Sequence, residues 1–175
     1  MALLNILQYP HPALAARAEP VLVFDEALAQ TAADMLETMY DAPGVGLAAT
    51  QVGILKRLIV IDVTEDKSGA TVLVNPEIVA LSETCSVHEE GCLSLKGLFE
   101  NVSRPDRVRV RAQNLKGESF EIEAEGLLAT CLQHEIDHLN GTVFIDHLSR
   151  MKKDRAAVKL RKMRLAESKQ RKSDD

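Results

Sequence analysis

The chain has 175 residues, of which 46% are hydrophobic and 27% charged, as is ordinary for one soluble globular domain. It has no apolar run near the roughly 20 residues that span a bilayer, and its first residues lack the basic start and apolar stretch of a secretory signal. Its cysteines, Cys85, Cys92 and Cys131, form no pairing framework and suit reduced thiols, so we expect a cytoplasmic protein outside the membrane.

Periodicity along the chain predicts three helices and four strands. Helices are expected at residues 26–40, 127–139 and about 148–168, and strands at 57–63, 71–79, 108–113 and 119–125. Asp25 is the expected N-cap of the first helix, and Gly141 ends the second. Because strands and helices do not alternate regularly, we expect an α+β fold with mixed or antiparallel sheets around the second helix, and a C-terminal helix.

Charge is distributed unevenly. Positions 150–175 hold 11 Lys/Arg against 4 Asp/Glu, whereas the other positions hold 10 against 22. A basic tail on an acidic body is suited to docking on an anionic partner such as nucleic acid. A solvated surface helix has the same composition, so both interpretations stay open.

The stretch CLQHEIDHLNG, residues 131–141, contains the H-E-x-x-H pattern from His134 to His138. On a helix, two histidines four residues apart share one face, so both can reach one metal ion at about 2.0–2.1 Å. Glu135 lies on the flank of that face, where it can act on a metal-bound water. The alternative, an amphipathic helix with two surface histidines, is disfavoured because the apolar stripe passes through the same face.

A third ligand must come from outside this pair. Cys131 is excluded because it is seven residues from His138, about 10 Å along the helix axis, and the ligand atoms of one ion lie within about 4 Å of one another. The sequence LNGTVFIDH that follows His138 lacks a metzincin continuation. Gly91 permits close approach of the backbone, and this slightly favours its neighbour Cys92 as the third ligand. The candidates that spacing leaves open are Cys85, His88, Cys92 and Glu167.

Three segments resemble the signature motifs of the peptide deformylase family. GVGLAATQ (44–51), EGCLS (90–94) and QHEIDH (133–138) match its patterns G-x-G-L-A-A-x-Q, E-G-C-L-S and Q-H-E-x-D-H at every defined position. One such motif is weak, but three in this order are highly specific. The resemblance covers roughly residues 3–150. It implies a metal-dependent hydrolase that removes the formyl group from N-formyl-methionyl peptides of nascent chains and releases formate.

The resemblance assigns chemical roles within these motifs. Glu135 takes a proton from the attacking water and passes one to the leaving amine. The side-chain amide of Gln51 and the backbone N–H of Leu93 face the developing oxyanion. The metal ligands are Cys92, His134 and His138, with water in the fourth position that marks a catalytic site.

The resemblance also implies a peptide-binding cleft. Backbone groups of residues 44–46 would bind an extended peptide as an added strand does. The expected substrate-binding residues are Gly44, Val45, Gly46, Glu90, Gly91, Leu127 and Cys131, with Thr130 and His88 nearby. The family often continues after EGCLS with Ile or Val and then Pro, whereas this chain has Leu95-Lys96-Gly97-Leu98-Phe99. This departure leaves the local backbone and the contacts beyond the methionine subsite open.

The same resemblance implies one Fe²⁺ per chain, which Zn²⁺, Ni²⁺ or Co²⁺ can replace because all suit a Cys/His₂ site. It also implies that the basic helix, Arg150–Lys172, docks on the ribosome. We expect a monomer with its catalytic part at residues 1–148 and the basic helix and tail of the same domain at residues 149–175. The rival functions are a zinc endopeptidase and a non-catalytic, ribosome-associated metal-binding module.

Overall fold

The computed structural model describes residues 2–174. The predicted parts of the chain, residues 1–148 and 149–175, therefore each include one residue, 1 and 175 respectively, that lies outside the described residues. The helices are α1 (Glu26–Asp41), α2 (Gly126–Leu139) and α3 (Arg150–Asp174). The strands are β1 (Gly46–Ala48), β2 (Leu58–Ile61), β3 (Thr71–Leu81), β4 (Cys85–Gly91), β5 (Phe99–Pro105), β6 (Arg107–Gln113) and β7 (Ser119–Glu125). Each predicted helix and strand is present, although α3 extends past its predicted end.

Five strands form one antiparallel sheet in the order β1-β2-β3-β6-β7, and β4 and β5 form a separate antiparallel hairpin. The α+β prediction is therefore confirmed. Periodicity did not predict β1, β4 or β5. In β4, CSVHEEG, Glu90 is the buried residue, so this strand carries no apolar alternation that could have been detected.

Strand β2 is buried on both faces because helices cover both sides of the sheet. Successive side chains of a strand point to opposite faces. Leu58 and Val60 pack in one cluster with the buried side of α1. Asp25 is the N-cap of α1, and its side chain accepts a hydrogen bond from the Leu28 N–H at 3.0 Å. Ile59 and Ile61 pack in a second cluster with Leu132, Ile136 and Leu139 of α2. Helix α2 is thus held firmly against the sheet.

The first half of helix α3 packs against residues from earlier in the chain. Ala156 and Leu160 are buried in a cluster with Leu98 and Phe144, and Met163 packs against it. The surface beyond this contact is exposed and basic. Within the described residues, no helix combines the length and the apolar character that a membrane crossing requires.

Candidate active site

The three residues that the family resemblance assigns as metal ligands lie together. One ligand atom from each of Cys92, His134 and His138 lies within 4.8 Å of the others, and Cys92 Sγ is 3.3 Å from His138 Nε2. Both histidines are on α2, and Cys92 follows the end of β4. Thiolate sulfur and imidazole nitrogen are donors that bind zinc and related transition metals, so this set fits a divalent transition metal.

The other candidate ligands lie apart from this group. Cys85 and His88 are exposed on β4, and Glu167 is exposed on α3. His88 is not among the residues that line the cleft described below, so its nearness to the methionine pocket stays a prediction. Cys131 is buried, and burial raises the pKa of its thiol well above the usual value. It is a neutral thiol outside the ligand group, in agreement with its exclusion by helix geometry.

The two histidines have different surroundings. Burial lowers the pKa of His138 well below its usual value, and its Nδ1 has no hydrogen-bond partner among the described residues. Burial alone would also lower the pKa of His134, but hydrogen bonds with Cys92 and Glu90 raise it well above the usual value. A metal needs a neutral imidazole, so binding at His134 would release a proton.

A buried ionic network holds His134. Its Nδ1 is 3.0 Å from Glu90 Oε1, and Arg104 donates from Nε and Nη2 to the two oxygens of Glu90 at 2.6 and 2.9 Å. Arg104 Nη1 also donates to Asp137 Oδ2 at 2.9 Å. Burial would raise the pKa of Glu90, but the contacts with His134 and Arg104 hold it below the usual value. Glu90 is therefore a carboxylate and can fix the ring of His134.

The glutamate of the H-E-x-x-H pattern is in an apolar environment. Glu135 is 3% exposed, and its Oε2 has no hydrogen-bond partner among the described residues. Its Oε1 lies 3.7 Å from His134 Nε2. Burial raises the pKa of Glu135 to about 7. A carboxyl group with this pKa can both take and give a proton near neutral pH.

Gln51 approaches the centre from the 3-10 helix Ala49–Val52. Its Oε1 accepts a hydrogen bond from the Ala48 N–H at 2.9 Å, which fixes the orientation of the amide. Its Nε2 then donates to Ser94 Oγ at 3.0 Å and lies 3.6 Å from Cys92 Sγ. The amide N–H groups of Gln51 therefore point toward Cys92 and Ser94, on either side of Leu93 in the chain.

A cleft of about 440 Å³ opens beside these residues. Its lining includes Glu135 and every residue expected to bind substrate, namely Gly44, Val45, Gly46, Glu90, Gly91, Leu127 and Cys131. Thr130 lines it as well. The carboxylate of Glu90 is already occupied by Arg104 and His134. These contacts of Glu90 therefore suit a role in orienting His134 better than a role in binding substrate.

Strand β1 passes very close to α2 at the cleft floor. A Cβ placed on Gly46 would lie 2.8 Å from Cys131 Sγ and 3.0 Å from Glu135 Cγ. Such distances are far below van der Waals contact, so glycine is required for this approach. The approach brings the backbone of the first motif next to Glu135.

The segment that departs from the usual family sequence forms one edge of the cleft. Leu95 and Leu98 are buried, whereas Lys96, Gly97 and Phe99 line the cleft. The ring of Phe99 lies across Gly91, where an added Cβ would be 2.5 Å from it. The departure therefore lies at the edge of the cleft and outside the ligand group.

Comparison with known proteins decides the family. The family model described as polypeptide deformylase matches residues 3–154. The chain belongs to this family. It is 58% identical over 165 residues to peptide deformylase 1 of Ralstonia nicotianae, a match that covers 94% of this chain and 98% of that protein. It is 54% identical to the peptide deformylase of Pseudomonas aeruginosa, over 93% of this chain and 96% of the relative.

Solved deformylase structures share the fold. The crystal structure of a peptide deformylase from Legionella pneumophila has a TM-score of 0.90 and 48% identity, covering 95% of this chain and 98% of that chain. A Synechococcus elongatus deformylase in complex with actinonin has a TM-score of 0.85 and 42% identity, covering 89% and 86%. The resemblance read from the three motifs is therefore confirmed.

Sequence reasoning missed the residues that support the centre. Arg104, Asp137 and Ser94 lie outside the expected site residues, although Ser94 and Asp137 stand within the motifs themselves. Arg104 is two residues after the buried Val102 and shares its face of β5. A charged residue in a buried strand position is unusual without a partner. The position of Arg104 could have marked it as a site residue, but only if residues 99–105 were known to form a strand.

Proposed function

We propose that the chain is a metal-dependent hydrolase that removes the N-terminal formyl group from N-formyl-methionyl peptides of nascent chains and releases formate. The observation that carries the proposal is the grouping of Cys92, His134 and His138 at the side of a cleft that Glu135 also lines. Membership of the polypeptide deformylase family supports it independently.

Cys92, His134 and His138 would hold the metal. A divalent metal bound there supplies Lewis acidity to a carbonyl and lowers the pKa of a water. The native ion in this proposal is Fe²⁺, and Zn²⁺, Ni²⁺ or Co²⁺ can replace it because the same donor set suits each of them. Metal analysis of protein purified without oxygen, beside the activity of the same sample, tests the identity of the ion.

Glu135 is the proposed proton-transfer residue. It takes a proton from the water whose oxygen bonds to the formyl carbon. It then gives a proton to the peptide nitrogen as the C–N bond breaks, so formate and a free amine are the products. Its burial and its pKa of about 7 support this role, because a general base works best when its pKa is near the working pH.

The proposed oxyanion donors are the side-chain amide of Gln51 and the backbone N–H of Leu93. The Ala48 N–H fixes the Gln51 amide before substrate binds. Preorganised donors stabilise the developing negative charge, and losing one costs about 10²–10³-fold in kcat. Replacing Gln51 by Glu would remove the donor and keep the size of the side chain.

Residues 44–46 would bind the peptide backbone, and the methionine side chain would occupy the apolar part of the cleft. Val45 and Leu127 are 42% and 58% exposed, and Cys131 is buried beneath them. Partly exposed apolar side chains around a neutral thiol suit an unbranched thioether. Contacts beyond this subsite would involve Lys96 and Phe99.

An assay with formyl-Met-Ala-Ser under anaerobic conditions after Fe²⁺ loading tests the activity. Release of formate is expected, and cleavage of an internal bond in a blocked peptide would instead indicate an endopeptidase. Replacement of Glu135 by Ala should abolish turnover while the metal stays bound, whereas the exposed Glu121→Ala should keep both. A wild-type chain that binds metal and releases no formate would favour the rival function of a non-catalytic metal-binding module.

We further propose that α3 docks on the ribosome. Arg161 and Arg164 of this helix line a surface cleft with Tyr9. A guanidinium in this position suits an RNA phosphate. Because Leu160 is buried in the core, deleting α3 would disturb the fold, and substitution is the cleaner test.

Arg161→Gln with Arg164→Gln should weaken ribosome binding and keep formyl-Met-Ala-Ser turnover within about 2-fold. A pair with the same charge change, Arg109→Gln with Arg111→Gln, should leave ribosome binding unchanged. Equal weakening by both pairs would contradict docking through α3, because long-range attraction alone depends only on net charge.

We also propose a cytoplasmic monomer organised as one domain, with α3 belonging to the same domain as residues 1–148. The packing of Leu160 and Ala156 in the core supports the single domain, and the free cysteines suit a reducing compartment. Light scattering after size-exclusion chromatography tests the monomer.

A further inference from the structure

The short 3-10 helix Phe144–His147 supports His134 from a side that the family motifs do not cover. The Phe144 ring stacks on the His134 ring, with centroids 6.0 Å apart and an interplanar angle of 24°. Phe144 is 1% exposed, so its ring is fixed by the core. One face of His134 is therefore held by packing.

The last residue of the same helix is connected to His134 by polar contacts. His147 Nε2 is 2.8 Å from Asp137 Oδ2, and the same oxygen accepts a hydrogen bond from Arg104 Nη1 at 2.9 Å. Arg104 in turn bonds to both oxygens of Glu90, whose Oε1 is 3.0 Å from His134 Nδ1. The contacts form an unbroken series from the surface to His134.

Asp137 has the most freedom of the three residues between His147 and His134. Its side chain is 23% exposed, whereas those of Arg104 and Glu90 are 6% and 3% exposed. Water can compete for a partly exposed carboxylate, and each competing rotamer would move the oxygen that orients the guanidinium of Arg104. A second fixed donor on Asp137 Oδ2 removes that freedom.

His147 is well placed to be that donor because its own helix is anchored. The Asp146 carboxylate accepts a hydrogen bond from the Val143 N–H at 2.9 Å and pairs with Lys153 at the start of α3. Ile145 is fully buried. The backbone that carries His147 is therefore fixed on both sides.

We propose that His147 is a positioning residue for the metal ligand His134, acting through Asp137, Arg104 and Glu90. The inference rests on the metal site of the proposed function but not on its reaction, because it concerns affinity for the ion. Loss of a direct partner of a metal-binding histidine typically weakens binding 10–100-fold. His147 acts through intervening contacts, so an effect of about 3–10-fold is expected.

The test measures Zn²⁺ affinity by chelator competition in the full chain. His147→Phe removes the donor and keeps a ring, so affinity should fall about 3–10-fold. His147→Gln keeps an N–H donor and should stay within about 2-fold of wild type, and the distant His11→Phe should match wild type. The d–d absorption of bound Co²⁺ should also shift for His147→Phe alone. Unchanged affinity in the Phe variant, or equal losses in the Phe and Gln variants, would overturn the proposal.

A double-mutant cycle tests the route. If His147 acts through Asp137, then His147→Phe should weaken Zn²⁺ binding much less in an Asp137→Asn background than in wild type. Full additivity of the two losses would overturn the route. Failure of the deformylase proposal would look different: Zn²⁺ would bind with the affinities expected above, and no formate would be released.

Discussion

Nδ1 of His134 lies 3.0 Å from Oε1 of Glu90, while Nε2 of the same ring faces Cys92 and Glu135. A neutral imidazole has one N–H, and a carboxylate at Nδ1 draws it to that side. The lone pair is then on Nε2, where a metal ligand needs it. The carboxylate is thus connected to metal binding through the tautomer of the ring.

Replacing Glu90 by Gln should weaken Zn²⁺ binding about 10–100-fold, as is typical when a metal-binding histidine loses its orienting partner. The free energy of unfolding should also fall by about 2–3 kcal/mol, less than for an isolated buried pair because Asp137 still neutralises Arg104. Chelator competition and urea unfolding measure the two effects. As a control, Glu123→Gln breaks the exposed pair with Arg109 and should cost under about 1 kcal/mol and leave metal affinity unchanged. Equal Zn²⁺ affinity in the Glu90→Gln and wild-type proteins would contradict the role.

Local geometry explains why part of the site could be predicted from the sequence. Two histidines four residues apart share a helix face wherever the helix packs, so His134 and His138 required no tertiary information. The same is true of the Asp25 cap, which depends only on the first turn of α1.

The third ligand could not be chosen by local geometry. Cys85, His88 and Cys92 all stay open along the chain, with Cys92 only slightly favoured, and it is the folded chain that brings Cys92 next to α2 while leaving the other two exposed. The motif resemblance supplied the choice that spacing did not. Arg104 was missed for the same reason, since its two carboxylate partners come from β4 and α2.

Crowding at the cleft floor gives a second prediction. Gly46→Ala would place a methyl group 2.8 Å from Cys131 Sγ and 3.0 Å from Glu135 Cγ. Overpacking of this kind costs about 1–3 kcal/mol of stability, and a displacement of about 1 Å at Glu135 lowers the rate about 10²-fold. The measurement is kcat/KM for formyl-Met-Ala-Ser beside urea unfolding.

Two variants control for this effect. Gly126→Ala adds a methyl group with no atom within 4 Å, so it should lose some stability at its φ of 63° and keep its rate. Cys131→Ala combined with Gly46→Ala removes the nearest clash and should recover part of the rate. A Gly46→Ala enzyme as fast as wild type would contradict the prediction, because it would mean that β1 and Cys131 accommodate the methyl group without moving Glu135.

The raised pKa of Glu135 gives a pH dependence of stability for protein stripped of metal with a chelator. Its pKa is about 7 in the folded chain because of burial, against 4.5 for the ordinary side chain. The folded state therefore holds the proton more tightly, so stability from this group is full below about pH 4.5 and is lost as pH rises through 7. Above that pH the free energy of unfolding is lower by about 3 kcal/mol.

Glu135→Gln cannot ionise, so its advantage in free energy of unfolding over the wild type should grow between pH 5 and pH 8. Urea unfolding at four pH values measures the difference. The exposed Glu121→Gln should show a difference that stays nearly constant with pH. An advantage of Glu135→Gln that shrinks as pH rises would mean that the burial of Glu135 does not penalise its charged form.

The two halves of α3 should respond differently to truncation of a leucine. Leu160 is 4% exposed and packs with Leu98 and Phe144, whereas Leu165 is 57% exposed. Leu160→Ala should lower the free energy of unfolding by about 2–5 kcal/mol, because it leaves a cavity in the core. Leu165→Ala should change it by no more than about 0.5 kcal/mol. Because Phe144 also stacks on His134, Leu160→Ala should weaken Zn²⁺ binding as well, and urea unfolding with chelator competition measures both. Equal stability of the two variants would mean that α3 is attached to the catalytic part without sharing its core.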